Sequence, residues 1–371
     1  MQRRKINMLQ MVNGFAIGGG EMKLLELVEN LDRDRYNITV CSVGQGGPLQ
    51  QDFEKLGDDV VVFDKKFSFD LSLVFKVARL MKEKNIDLVQ TTLFYADVIG
   101  AYAAAMANVP VVISWEAVSH PYRTRHLLSY KMAMRKIDAV VAVSDAIRKQ
   151  VMDERGVPGE KARTIHYGID LEKYAHSDNL KRKDIGLQDS DLVLGTVARY
   201  TDQKGHTYLI DAAPGIVDKF PNAHFVFVGD GPNRKDMEMQ IKKHGLERNF
   251  HLLGFRKDVV DLLNLFDVFV LPSLYEGLPN VVLEAMACAR PVVATGVDGT
   301  AEAVEDGECG YIVPPKKPEA LTERINHLIA SPDLMRRMGN ASRKRVETHF
   351  SLEKQIRQFE ELYDEFIARK L

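Results

Sequence analysis

The sequence predicts an α/β protein built as two doubly wound parallel sheets, and three observations carry that expectation. Short apolar runs alternate with amphipathic helical stretches, first over residues 6–155 and again over 192–313. Such alternation is the pattern of parallel sheets with helices on their faces. The chain has 371 residues, which is long for one core and suits two. In each half a glycine-containing turn stands between an apolar run and a helix, at 13–20 and at 276–279.

Composition narrows the function classes. Lys and Arg number 50 against 52 Asp and Glu, a net charge of −2, so no global field favours nucleic acid. The apolar share of 45% and charged share of 27% are those of a soluble globular protein. Cys41, Cys288 and Cys309 are far apart with no C-x-x-C pair, which fits a reducing compartment and no zinc site. The basic start, residues 1–5, precedes an apolar run that Asn13 and Gly14 break too early for a signal peptide. No stretch has the length needed to span a bilayer. The expected location is cytoplasmic, with peripheral attachment to the inner face of a membrane as an option.

Taken in order, residues 6–12 read as a buried first strand. The glycine loop ending in Gly18, Gly19 and Gly20 follows, then a helix over 21–31. Glycine lets backbone approach a ligand, although the loop is not G-x-G-x-x-G and alone argues only a tight turn. Strands are expected at 38–43, 60–63, 88–91, 111–115 and 139–143, and helices at 71–84, 96–108 and 145–155. The polar stretch after Gly156 reads as the exit from the first domain. The second series has strands at 192–197, 225–228, 251–253, 268–271, 292–294 and 311–313. Its helices fall at 207–220, 234–244 and 281–288. The tail 318–371 reads as helical throughout, with Leu352, Ile356, Phe359 and Tyr363 at the spacing of a packed helix. The resulting division is a first domain over 1–170, a linker over 171–190, a second domain over 191–349 and a final helix over 350–371.

The chemistry concentrates in Glu276-Gly277-Leu278-Pro279-Asn280-Val281-Val282-Leu283-Glu284. An apolar strand precedes it, and Pro279 suits the first position of a helix. The amides near Asn280 and Val281 form a helix mouth, which favours anions. Glu284 leans back toward that mouth, because helical side chains tilt toward the N-terminus. Two acceptor-only carboxylates beside an anion cradle suit a ligand with phosphate and hydroxyl groups. Arg199 and Lys204 follow another strand, and two cations in such a loop can clamp a diphosphate.

These segments resemble the retaining GT-B glycosyltransferases of the large family four, also called glycosyl transferases group 1. The resemblance rests on the Glu-x7-Glu motif at Glu276 and Glu284, on residues 267–273 and 290–295, and on Arg199 with Lys204-Gly205. It extends over nearly the whole chain. It implies the GT-B architecture, with two Rossmann-like domains facing across a cleft and a last helix crossing back to the first. It implies transfer of a hexosyl group from a nucleoside-diphosphate sugar to a hydroxyl of a sugar or lipid-linked acceptor, in polysaccharide, lipopolysaccharide or glycolipid synthesis. In that reading Gly18, Gly19 and Gly20, with Glu21, face the donor, and Arg199 and Lys204 hold its diphosphate. Glu284 holds the ribose and Glu276 the sugar, with Gly277 and Leu278 between them. Phe255 or the backbone of Arg256 lies against the base, although a core position suits Phe255 equally. No cofactor and no metal are expected, since Arg199 and Lys204 supply the positive charge.

On the first domain Thr92 and Tyr95 are expected on the acceptor side. The family often carries a histidine after the fifth strand. Here Glu116 stands at that place, and His120 is the nearest substitute. Residues 119–136 hold Arg123, Arg125, Lys131, Arg135 and Lys136 with no acid, and apolar residues interleave. That is the pattern of a helix lying on an anionic membrane surface, or of a solvated basic face. Two other functions fit the same architecture: a nucleotide-sugar 2-epimerase and a non-catalytic nucleotide-sugar-binding protein.

Overall fold

The computed structural model describes residues 4–65, 70–117, 124–177 and 179–371. It divides into two compact units. Unit 1 takes the chain up to Tyr167 and again from Glu353 onward, and unit 2 takes Gly168–Leu352. Unit 1 runs β1 (Ile6–Val12), α1 (Gly19–Asn30), β2 (Tyr36–Ser42), α2 (Gln50–Lys55), β3 (Asp59–Val62), α3 (Leu71–Glu83), β4 (Leu88–Thr92), α4 (Phe94–Ala107), β5 (Val111–Glu116), α5 (Thr124–Met134), β6 (Ala139–Ala142), α6 (Asp145–Asp153) and β7 (Ala162–Thr164). Its seven strands are ordered β3-β2-β1-β4-β5-β6-β7 and every pair is parallel. The order reverses direction between β1 and β4, a topological switch point, where the carboxyl ends of strands leave a crevice for ligands.

Unit 2 runs β8 (Leu192–Val197), α7 (His206–Val217), β9 (Ala223–Val228), α8 (Arg234–His244), β10 (Phe250–Gly254), α9 (Val259–Leu265), β11 (Val268–Leu271), α10 (Asn280–Ala287), β12 (Val292–Thr295), α11 (Thr300–Ala303), β13 (Gly310–Val313), α12 (Pro318–Ile329) and α13 (Pro332–His349). Its six parallel strands are ordered β10-β9-β8-β11-β12-β13, with the switch between β8 and β11. One face of this sheet buries Leu194, Phe225, Phe227 and Val270 against Leu209, Ile216 and Ile325 of the covering helices. Gly195 in β8 is required by contact, since a Cβ there would stand 2.0 Å from the Phe266 ring.

Segment 171–190, which polarity suggests as a linker, is held to unit 2. Arg182 grips Asp267 with one guanidinium nitrogen at 2.8 and 3.0 Å, and Leu187 is buried. The tail, expected to be helical with a separate last helix from 350, is three helices, the additional break falling at Ser331. Ser331 caps α13, its hydroxyl accepting from the Leu334 amide at 3.3 Å, and Pro332 takes the first turn. The next break falls at Phe350–Ser351, where Ser351 bridges to Ile169. The last helix, α14 (Leu352–Lys370), then lies on unit 1. Its buried stripe includes Ile356, Phe359 and Tyr363. Phe359 meets Trp115 edge-on at 4.9 Å, and the Tyr363 hydroxyl bonds Gln90 at 2.5 Å.

Candidate functional site

Three adjacent strands of unit 2 deliver the site. β8, β11 and β12 are neighbours, so the loops at their carboxyl ends converge. After β8 the chain passes Arg199 and Tyr200 into the 3-10 turn Asp202–Lys204, then turns into α7 at Gly205. Gly205 has φ +61°, and a Cβ there would sit 2.1 Å from the Pro272 carbonyl. Only glycine permits both the left-handed conformation and that approach. The two loops are then sewn together. The Leu274 amide donates to the Gln203 carbonyl at 2.7 Å, and Gln203 Nε2 donates to the Tyr275 carbonyl at 3.0 Å.

This stitching brings Lys204 Nζ to 2.6 Å from Glu276 Oε1. The Ser273 hydroxyl donates to the same oxygen at 2.7 Å. From the third loop, Asp298 Oδ2 accepts from the Glu276 amide at 2.8 Å, and the Gly299 amide donates to the Gly277 carbonyl at 3.0 Å. Glu276 is only 5% exposed, so its rotamer is fixed from several sides. A carboxylate held this way beside an ammonium can accept from ligand hydroxyls, while the ammonium faces anionic oxygens. Both groups follow the strands that flank the switch point, where α/β sheets bind ligands.

The other expected donor residues of unit 2 fall around these. Arg199 is exposed, and its guanidinium makes no ion pair among the described residues. Gly277 and Leu278 are buried, Asn280 and Val281 open α10, and Glu284 is half-buried inside that helix. Pro279 is the cap of α10 and not its first residue, because its ψ of 105° is extended. Phe255 is 63% exposed at the end of β10, which removes the core alternative. Arg256 is paired with Asp258 at 2.7 Å.

His206, the first residue of α7, is a feature that sequence reading passes over. It is 3% exposed between Tyr200 and Phe227, and its ring nitrogens find no hydrogen-bond partner among the described residues. Burial, with Lys204 second, pushes its pKa down to about 4, so it packs as a neutral ring beneath the Lys204 turn. Ser273, Gln203 and Asp298 were likewise missed as site residues. The signal for Asp298 was its place in Gly296-Val297-Asp298-Gly299, a glycine turn after β12.

Unit 1 holds the remaining residues. Gly19 and Gly20 form the first turn of α1 instead of a preceding loop, with Gly18 as its cap, so the helix opens two residues earlier than expected. They follow β1, and Thr92 is the last residue of β4, across the switch. Thr92 is 1% exposed and its hydroxyl has no partner among the described residues. Leu93 after it has φ +73°, a strained value for leucine. Lys65 Nζ stands 3.3 Å over the Tyr95 ring.

Glu116 is 2% exposed, and its carboxylate is fully engaged. Arg155 pairs with Oε2 at 2.7 Å and the Tyr130 hydroxyl donates to Oε1 at 2.6 Å. These contacts fix the carboxylate and bury it away from solvent. Close by, Asp97 is wholly buried and accepts from Thr91 at 2.5 Å and Ser114 at 2.9 Å. Burial, then the Glu116 charge, holds its carboxyl well above the usual carboxylate range. His120 lies outside the described residues.

Two parallel sheets, each with glycine turns and polar side chains at its switch point, define an α/β protein of the GT-B class. Comparison with known proteins makes this specific. The family model described as Glycosyl transferases group 1 matches residues 177–345, and that described as Glycosyltransferase Family 4 matches residues 17–173. The chain belongs to this glycosyltransferase family. It is 27% identical to an Escherichia coli UDP-Gal:alpha-D-GlcNAc-diphosphoundecaprenol alpha-1,3-galactosyltransferase over 95% of each chain. Among solved structures it is similar to Anabaena HepE in complex with UDP, at 26% identity and TM-score 0.85, covering 98% of this chain and 100% of that one. HepE in complex with UDP-glucose aligns over 97% and 100%, at 25% identity and TM-score 0.85.

Proposed function

We propose that this glycosyltransferase moves a hexosyl group from a uridine diphosphate sugar to a hydroxyl of a sugar or lipid-linked acceptor, with retention of configuration and without a metal ion. The observation that carries the proposal is the Lys204–Glu276 pair at 2.6 Å, at the switch point of the unit 2 sheet. The UDP and UDP-glucose complexes of HepE support the uridine nucleotide. The diphosphoundecaprenol acceptor of the Escherichia coli relative supports a lipid-linked acceptor.

In this mechanism Arg199 and Lys204 bind the diphosphate, and Glu284 accepts from the ribose hydroxyls. Glu276 holds the sugar hydroxyls and faces the positive charge that develops as the bond from the anomeric carbon to the phosphate oxygen breaks. The acceptor oxygen bonds to that carbon on the same face, and its proton passes to the departing phosphate. Charge on that phosphate grows toward the transition state, so the cations act most strongly there.

Lys204→Ala tests the clamp. It should lower kcat/KM by about a hundredfold or more, the scale of one lost transition-state charge contact. A folded variant with unchanged kinetics would remove Lys204 from the mechanism. Activity that survives exhaustive chelation is the matching expectation for metal independence.

A further inference from the structure

A second cluster of ligating side chains lies in unit 2, at the opposite end of the sheet from Lys204 and Glu276. His224 stands near the start of β9 and His251 near the start of β10. The register pairs His251 with Val226, so His224 and His251 are diagonal neighbours on one face of the sheet. His224 Nδ1 and His251 Nε2 are 3.1 Å apart. Asp191, just before β8, places Oδ2 3.6 Å from the other nitrogen of His224. The imidazole of His224 is 19% exposed and the Asp191 side chain 11%. Solvent therefore reaches the cluster without flooding it.

We propose that His224 Nδ1 and His251 Nε2 form a binding site for an imidazole-preferring divalent ion, zinc or copper, with Asp191 behind His224 as the orienting carboxylate. The separation suits one ion. Two nitrogens 3.1 Å apart, each about 2.05 Å from a metal, subtend an angle of about 100°, near the tetrahedral value. Asp191 favours the tautomer of His224 with its proton on Nε2, which leaves the Nδ1 lone pair to ligate. A carboxylate behind a ligating histidine is the usual outer partner of such sites. His251 needs only to carry its proton on Nδ1, so binding requires a tautomer change and no net loss of a proton.

The ion would act as a clip. Among the described residues β10 is the edge strand of the sheet, paired only to β9, and its register breaks between Leu252 and Gly254. A metal joining His224 to His251 fastens the unbroken end of that edge to its neighbour.

The test uses the tag-free chain. Calorimetric titration with zinc chloride should give one ion per chain at this site and raise the thermal midpoint by several degrees, while magnesium chloride, which prefers oxygen ligands, should do neither. The double substitution His224→Asn with His251→Asn should lose that stoichiometric ion and the thermal shift. Asp191→Asn should weaken binding by about tenfold. Copper(II) electron paramagnetic resonance should show two coupled imidazole nitrogens, a reading that needs no variant. No zinc uptake by the parent chain, unchanged uptake by the double variant, or a copper spectrum without two nitrogens would each overturn the site.

Discussion

Glu276 and Glu284 belong to one short segment, and the proposed mechanism gives them different work. Glu276 is locked by Lys204 and Ser273, whereas Glu284 is half-buried within α10. A ribose does not change during the reaction, so Glu284→Ala should mainly raise the donor KM. A sugar gains positive charge, so Glu276→Gln should mainly lower the single-turnover rate. If Glu276→Gln leaves that rate intact while Glu284→Ala abolishes it, the two roles are reversed. Both glutamates stand out as candidates in the sequence because the motif that holds them is local. The buried state of Glu116 was not legible there. Its partner Arg155 and its donor Tyr130 come from separate elements, and no spacing in the chain announces a buried pair. The same applies to His206, whose burial depends on the Tyr200 and Phe227 rings around it.

At the level of elements, the turn between β8 and α7 positions the chemistry. Gly205 there has φ +61° and no room for a Cβ beside Pro272. Gly205→Ala should cost about 2 kcal/mol of stability or more, from left-handed strain plus the clash. It should also lower kcat/KM, because Lys204 is its neighbour. Urea denaturation and steady-state kinetics measure the two effects, and a variant as stable as the parent would show that the turn relaxes freely. The long, buried strands were legible from their apolar runs. The three-residue β7 and the short helices α2, α9 and α11 were not, since pieces of that length carry too few residues for a period to declare itself. In the tail, the start of the last helix was legible near 350, whereas the break between α12 and α13 was not placed. The Ser331-Pro332 pair was the stop signal within it.

At the scale of the whole molecule, the surface of α5 bears on where the protein works. Among the described residues no helix is long and apolar enough to cross a membrane. On α5, Leu128 is 64% and Met132 49% exposed, with Lys131 exposed between them and Arg135 just beyond. Tyr130, Ala133 and Met134 face inward. An apolar and basic stripe of this kind suits an anionic lipid surface, which would bring the enzyme to a lipid-linked acceptor. Liposomes containing anionic lipid should therefore sediment the protein at low salt and release it at high salt. Equal binding to neutral vesicles, or none at low salt, would discard this part of the reading. The basic composition of 119–136 was visible in the sequence, but residues 119–123 lie outside the described ones.

The return of α14 to unit 1 has a consequence for how the protein is made. Unit 2 is one uninterrupted length of chain, with its ends joined where Ile169 bridges Ser351 and the Leu352 amide donates to the Ile169 carbonyl at 3.1 Å. Unit 1 is written in two pieces, and the helix that seals it leaves the ribosome only after the whole of unit 2. Until then Trp115, Tyr36 and Gln90 lack the Phe359 and Tyr363 side chains that cover them. The nascent chain can thus complete its second unit before its first, and it carries an uncovered aromatic seam meanwhile. A chain clipped near residue 352 would keep that seam open for good, an exposed mark by which chaperones and proteases can tell an unfinished molecule from a finished one.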